Sequence, residues 1–121
     1  AGINKHFQLR LGLSDLKIHK KSHNFVDTQS DLCACNMGAE TTIHFFCNCS
    51  LFFTERIVLV DSVSEILARN NLLIDTLDNK DLVNIYLYGN WKIADYENRA
   101  ILLSTIKFIM DSNRFKMQDQ H

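Results

Sequence analysis

The residues best suited to chemistry in this chain are its cysteines, which all lie between positions 33 and 49 together with one histidine. Cys33 and Cys35 form one close pair, and His44, Cys47 and Cys49 follow after a short spacer. Thiolate and imidazole are ligands that zinc prefers, and a structural zinc site takes four of them, usually in two closely spaced pairs. The spacing therefore predicts a structural zinc knuckle with Zn²⁺ as its cofactor.

Two ligand sets satisfy this spacing, and they differ in one residue. Cys33, Cys35 and Cys49 belong to both sets, whereas the remaining ligand is either His44 or Cys47. Disulfides and buried free thiols are the other interpretations, but a bond between Cys33 and Cys35 would close a strained ring. Because no secretory signal is visible, we expect reduced thiols and an intracellular location, in the cytoplasm or the nucleus.

Recognisable enzyme motifs are missing from the sequence. It contains no Gly-rich phosphate loop, no Gly-x-Ser-x-Gly and no His-Glu-x-x-His. A zinc ion with four protein ligands also has no open position for a reacting molecule. We therefore expect no catalytic residues and no enzymatic activity. The longest aliphatic runs have four residues, whereas a membrane span needs about twenty, so we expect no membrane partner.

The rest of the sequence must position the cysteine segment, and its composition is that of one globular domain. The chain has 121 residues, of which 46% are hydrophobic and 22% are charged. We expect a mainly α fold, a small helical domain with a zinc-knuckle loop. Its predicted parts are a basic N-terminal segment over 1–32, the zinc knuckle over 33–49, and a helical bundle over 50–121. The tail of the bundle should fray from about residue 116.

Apolar periodicity predicts a first long helix over 51–70, with Ser50 as its N-cap and Asn70-Asn71 as its stop. One apolar stripe, repeating every three or four residues, should face the core. The stripe consists of Phe53, Ile57, Val60, Val63 and Leu67.

Two further helices are predicted. A short helix over 80–88 should be capped by Asp78 or Asn79 and ended by Gly89. Its predicted inward residues are Leu82, Ile85 and Tyr86. A second long helix, over about 95–112, should begin with Asp95 as its N-cap. Its predicted core face consists of Tyr96, Ala100, Leu103, Ile106 and Met110.

Positive charge is concentrated at the N-terminal end. The net charge is −1, yet residues 1–32 carry five Lys or Arg against three Asp. Phosphate contacts in such a chain must come from local cations. The candidate nucleic-acid-binding residues are Arg10, Lys17, Lys20 and Lys21. A solvated helix end is the competing interpretation. Phe45 and Phe46 are expected in the core rather than in base stacking.

Several short motifs follow one another along the chain. They are Arg10-Leu-Gly-Leu-Ser, His23-Asn-Phe-Val-Asp-Thr, Cys33-Ala-Cys, Glu40-Thr-Thr-Ile-His-Phe-Phe, Cys49, Leu87-Tyr-Gly, Asn98-x-x-Ile-Leu and Arg114-Phe. In order and spacing, this series resembles the C-terminal region of non-LTR (LINE-type) retrotransposon reverse-transcriptase polyproteins. The resemblance covers nearly the whole chain, and the order of the motifs is more specific than any one of them.

The resemblance implies a ligand set and a function. Carried over to this chain, the ligands are Cys33, Cys35, His44 and Cys49, which leaves Cys47 as a bystander. The family has glycine where this chain has Asn36, and proline where it has Ser50, so neither departure removes a ligand. The implied function is a C-terminal zinc-binding module of a retrotransposon reverse-transcriptase protein that assists binding of template RNA or target DNA.

Other functions fit the same resemblance. The module could be purely structural and pack on the remainder of the reverse-transcriptase polyprotein, or the chain could be a remnant fragment with no activity. A basic face beside the knuckle would favour nucleic-acid binding, whereas an exposed apolar surface would favour packing. The motifs of a polymerase palm or an endonuclease are not found in the sequence.

Overall fold

A computed structural model describes residues 32–114, and these residues form a small helical domain. Its three α-helices are α1 (Phe53–Arg69), α2 (Asn79–Tyr88) and α3 (Asp95–Asp111). A π-helical turn (His44–Asn48) and a 3₁₀ turn (Ser50–Phe52) precede α1, and another 3₁₀ turn (Ile74–Thr76) lies between α1 and α2. The mainly α class with a Cys-Cys-His-Cys cluster is confirmed. Within the described residues, none of the helices has the length and apolar character needed to cross a bilayer.

Helix α1 lies close to its predicted bounds, but the stripe that it buries agrees only partly with the predicted one. Val63 and Leu67 are buried as predicted, whereas Phe53 and Ile57 are exposed. The helix carries apolar residues on two adjacent faces, and the face that packs against α3 is the one with Leu59. Periodicity within one helix does not decide between such faces, because the choice depends on the neighbouring helix.

The ends of α1 are only partly as predicted. Ser50 is not an N-cap, because it begins the 3₁₀ turn, and α1 starts at Phe53 without a side-chain cap. The turn allows Phe52 to bury its ring against that of Phe45, with 5.3 Å between the ring centroids. At the other end the predicted stop is confirmed, since Asn70 is the C-cap and Asn71 adopts a left-handed φ of 61°.

Helix α2 follows its prediction at both ends. Asp78 is the N-cap, and its Oδ1 accepts a hydrogen bond of 2.8 Å from the N–H of Asp81. Gly89 ends the helix with φ 72°. A Cβ atom at this position would lie 2.7 Å from Oδ1 of Asn98, so both conformation and space require glycine here.

Helix α3 corrects two predictions. Its N-cap is Ala94, not Asp95, which occupies the first helical position. The predicted core face is wrong, because Tyr96, Leu103 and Met110 are exposed. The buried face consists of Glu97, Ile101, Thr105, Phe108 and Ile109. Counting apolar residues misses this face, because two of its members are polar groups whose hydrogen bonds are satisfied inside the protein.

These two polar groups have clear partners. The hydroxyl of Thr105 donates to the carbonyl of Ile101 at 2.9 Å. The carboxylate of Glu97 accepts from Nε of Arg69 and from Nδ2 of Asn70, both at 3.3 Å, and so ties α3 to the end of α1. The buried hydroxyl of Thr105 and the buried carboxylate of Glu97 are therefore both satisfied by hydrogen bonds.

An aromatic cluster joins the π-helical turn to the helices. Phe45 and Phe46 are fully buried, which confirms their predicted place in the core. Both rings contact Phe108 of α3, with centroid distances of 5.2 and 5.5 Å, and Phe46 also contacts Tyr86 of α2 at 5.5 Å. Edge-on and tilted ring pairs of this kind stabilise by about 0.5–1.5 kcal/mol each beyond area burial. The segment that carries His44 is thus anchored in the core by its next two residues.

Candidate metal centre

The first arm of the centre is a tight turn that presents Cys33 and Cys35. The N–H of Cys33 donates to the carbonyl of Gly38 at 2.8 Å, and the N–H of Asn36 donates to the carbonyl of Cys33 at 2.9 Å. Asn36 has φ 64°, the left-handed conformation that glycine adopts most easily and asparagine tolerates. Asn36 therefore adopts the turn conformation that was expected of it.

The second arm is the π-helical turn, which presents His44 and Cys49. The N–H of Cys49 donates to the carbonyl of His44 at 2.8 Å, so one backbone hydrogen bond joins the two ligand residues. The N–H of His44 in turn donates to the hydroxyl of Thr41 at 3.0 Å. Isolated π-helical turns are rare and often occur at functional sites, here because the wider turn brings His44 and Cys49 together.

The two arms bring four potential ligand atoms into one cluster. These atoms, from Cys33, Cys35, His44 and Cys49, all lie within 4.8 Å of one another. Sγ of Cys33 is 3.6 Å from Sγ of Cys49, and Sγ of Cys35 is 3.2 Å from Nε2 of His44.

These separations fit a metal ion better than they fit a disulfide. Thiolate sulfurs at about 2.3 Å from a tetrahedral zinc ion are about 3.8 Å apart. A disulfide would need about 2.05 Å, and all four cysteines are free thiols. The cluster is consistent with a four-ligand metal site of the Cys₃His type.

Cys47 does not belong to the cluster. The group of ligand atoms within residues 32–114 contains His44 and not Cys47. Cys47 is half-buried and lines a surface hollow with Phe53 and Ile57 of α1. Burial raises the pKa of its thiol to about 11, and the nearby positive charge of Arg56 opposes that rise only in part. The geometry thus favours the His-containing set of the two that the spacing allowed.

The thiols of the cluster differ in their ease of ionisation. Burial raises the pKa of Cys49 to about 12, so this thiol is protonated in the metal-free protein at neutral pH. By contrast, a hydrogen bond from the backbone of Met37 lowers the pKa of Cys35. Because a metal binds thiolate, its binding would release the proton of Cys49, and metal affinity would fall with decreasing pH.

Arg56 fixes the second arm to α1, a role that the sequence alone did not reveal. Its guanidinium donates to the carbonyls of Phe46 at 2.9 Å, Cys49 at 2.5 Å and Phe45 at 3.5 Å. Phe45 and Phe46 belong to the π-helical turn and Cys49 follows it directly, so one side chain of α1 holds the whole turn. The available signal was an arginine one helical turn before Leu59, which is buried in the structure.

Glu40 and Arg114 tie the first arm to the end of α3. Nε of Arg114 donates to one carboxylate oxygen of Glu40 at 2.6 Å, and its second nitrogen donates to the other oxygen at 2.5 Å. The Glu40 side chain is only 4% exposed, so this bidentate pair is largely shielded from water. Both residues stood in the motif series, but 74 positions separate them, and sequence reasoning assigned no role to either.

The predicted nucleic-acid-binding residues lie elsewhere in the chain. Arg10, Lys17, Lys20 and Lys21 are outside the described residues 32–114, as is the predicted frayed tail. Their assignment therefore stays a prediction.

Comparison with known proteins gives no assignment, because no protein-family model, curated protein or solved structure matches this chain.

Proposed function

We propose that this chain is a structural zinc module of a retrotransposon reverse-transcriptase protein, and that it assists binding of template RNA or target DNA. The observation that carries the zinc assignment is the cluster formed by Cys33, Cys35, His44 and Cys49. The retrotransposon assignment rests on the motif series and its order along the chain.

The proposed zinc ion has a structural role. Three thiolates and one imidazole would fill its four positions and leave none for a substrate or a reacting water molecule. Such an ion would hold the turn of Cys33 and Cys35 against the π-helical turn. We accordingly propose that the chain has no enzymatic activity of its own.

A purely structural packing module is the second candidate, and the surface of α1 favours it. Phe53 and Ile57 are exposed on this helix, and Val60 beside them is half-buried. Together with Cys47 they line a hollow of about 290 Å³. An exposed apolar surface of this kind fits contact with another protein domain.

Salt-dependent binding to nucleic acid separates the two candidates. Fluorescence anisotropy would follow labelled oligo(U) and oligo(dT) of roughly 12 nucleotides, a length within the range of single-strand sites. If three or four cations meet phosphates, log Kd should change with log salt by about 2 to 3. Lys17, Lys20 and Lys21 replaced together by Gln should flatten this dependence.

The same experiment needs the metal-loaded and the chelated protein side by side. Nucleic-acid binding by the zinc-loaded chain that weakens on chelation would support the first candidate. A zinc-loaded, folded chain without measurable binding to either oligonucleotide would contradict it and leave the packing module as the better account.

A further inference from the structure

Three exposed aromatic residues and two cations lie around the junction of α2 and α3. Trp91 is 88% exposed, Tyr96 is 73% exposed and Tyr88 is 58% exposed. Nζ of Lys92 lies 5.4 Å from the ring centroid of Trp91. Arg99 follows Tyr96 by one helical turn on the outward side of α3, since residues three apart are neighbours on a helix surface. These five residues are called here the aromatic–basic surface.

The turn that presents Trp91 is held in place by Asn98. The side-chain oxygen of Asn98 accepts from the N–H of Asn90 at 3.0 Å. Its amide nitrogen donates to the carbonyls of Asn90 at 2.9 Å and Ile93 at 3.1 Å. Because Asn98 is itself in α3, these bonds fix the turn on the helix that carries Tyr96. The exposed rings are therefore supported by an ordered backbone.

Two residues of the aromatic–basic surface, one from α2 and one from α3, line a common cleft. Tyr88 and Arg99 line it, and its volume is about 170 Å³. Gly89 and Asn98 also line the cleft, and a Cβ atom at position 89 would lie 2.7 Å from Oδ1 of Asn98. The cleft places a cation from α3 beside an aromatic residue from the end of α2.

The cations of the aromatic–basic surface differ from most others in residues 32–114, which contain seven Lys and Arg in all. Four of the seven make hydrogen bonds or ion pairs within the protein. These four are Arg56, Arg69, Lys107 and Arg114. Lys80, Lys92 and Arg99 remain, and two of them are on the aromatic–basic surface. Asp95 is exposed and lies in the sequence between Lys92 and Arg99. Its negative charge offsets one of these two cations, so the net positive charge of the surface is small.

We propose that the aromatic–basic surface binds single-stranded nucleic acid, with bases stacked on Trp91 and Tyr96 and phosphates near Lys92 and Arg99. This inference rests on the proposed function and gives it a second contact region, separate from Arg10, Lys17, Lys20 and Lys21. Stacking on aromatic rings beside cations is the usual basis of single-strand binding without sequence preference. Every base can stack in this way because each has a π face. The small net charge of the surface would contribute less to the affinity than stacking does.

A protein partner fits the surface less well. Tryptophan, tyrosine and arginine are common at protein interfaces too, but lysine is depleted there. Lys92 instead lies over the exposed ring of Trp91. The most exposed ring also stands on a turn rather than in a groove, which suits insertion between splayed bases.

Trp91 provides the test, because it is the only tryptophan in the chain. Titration of the zinc-loaded full chain with oligo(U) or oligo(dT) should quench its emission in a saturable way. The midpoint should match that of anisotropy measured with the same labelled oligonucleotide. The two oligonucleotides distinguish an RNA from a DNA preference.

Variants of the aromatic–basic surface and matched control variants elsewhere distinguish loss of this binding site from a general loss of affinity. Trp91→Ala should weaken binding by about 5- to 150-fold if one base stacks on this ring, and Trp91→Phe should keep most of the affinity. Phe53→Ala, which removes an exposed ring from α1, should leave affinity unchanged. Lys92→Gln with Arg99→Gln should reduce the log–log salt slope by about 1.4, whereas Lys80→Gln with Lys107→Gln should not.

The possible outcomes distinguish this inference from the proposed function. If the chain binds oligonucleotide but Trp91 emission does not respond, or the Trp91 and Lys92–Arg99 variants bind normally, the surface is not the site and the proposed function stands. A protein contact would then be the better account of the exposed rings. If the zinc-loaded chain binds neither oligonucleotide, both proposals fail. Circular dichroism and zinc content must match the parent chain for each variant.

Discussion

The metal loop, residues 32–49, and the three helices are held by different interactions. Hydrogen bonds from Arg56 and the ion pair between Glu40 and Arg114 fix the loop to the helical domain. Apolar side chains of all three helices fill the core between them. The two regions meet at Phe45 and Phe46, which belong to the loop by sequence and to the core by position. The loop therefore depends on the helices for its position, whereas the helices pack chiefly against one another.

Metal removal should produce the largest difference between the two regions. Amide exchange in residues 32–49 should accelerate by about 100-fold or more when zinc at 100 times its Kd is replaced by chelator. Exchange in α1 and α3 should change little, because packing of their apolar faces provides most of their stability. Hydrogen exchange read by mass spectrometry would measure both regions in one sample. Complete loss of helical circular dichroism on chelation would contradict this division.

The shielded ion pair offers a smaller and more local test. Glu40→Gln should lower the free energy of unfolding by about 1–3 kcal/mol, because it leaves the guanidinium of Arg114 without its charged partner. Glu65→Gln is the matched control, since Glu65 pairs with Arg69 on the surface and its side chain is 76% exposed. An exposed pair contributes only about 0–1 kcal/mol. Equal losses in urea titrations of the two variants would show that the Glu40 pair does not fasten the loop.

The smallest expected change in the free energy of unfolding is at Leu103 of α3, which the structure places on the exposed face of the helix. Leu103 is exposed, so Leu103→Ser should change the free energy of unfolding by no more than about 0.5 kcal/mol. Ile101, two positions earlier, is fully buried, and Ile101→Ser should cost at least about 2 kcal/mol. Thermal unfolding of the two variants compares the faces directly. If Leu103→Ser were the more destabilising of the two, the core face predicted from apolar periodicity would be the right one.

The ligand segment and the ends of α2 could be predicted from the sequence, whereas the buried faces of two helices could not. The position of the metal cluster was predictable because closely spaced cysteines and histidine are typical zinc ligands, but the spacing did not decide between His44 and Cys47. Asp78 and Gly89 were predictable because caps act locally. The faces of α1 and α3 were not, since each helix is apolar on more than one side. Their choice depends on the partner helix.

Contacts between residues far apart in the sequence could not be predicted either. The pairing of Glu40 with Arg114 depends on the whole fold, because the chain must close before these residues meet. Arg56 was hidden for a related reason, since its partners are backbone carbonyls that carry no sequence signal. The exposed ring of Trp91 likewise became evident only when the burial of its neighbours was known.

The central claim is that one metal ion is held by Cys33, Cys35, His44 and Cys49, and cobalt substitution tests it most directly. Titration of the reduced, metal-free chain with Co²⁺ should saturate at one ion per chain, with the absorption bands of a tetrahedral site that has three sulfur ligands and one nitrogen ligand. Cys47→Ser should leave this spectrum unchanged, whereas His44→Ala should alter or abolish it. An unchanged spectrum in His44→Ala together with loss of the bands in Cys47→Ser would contradict the account.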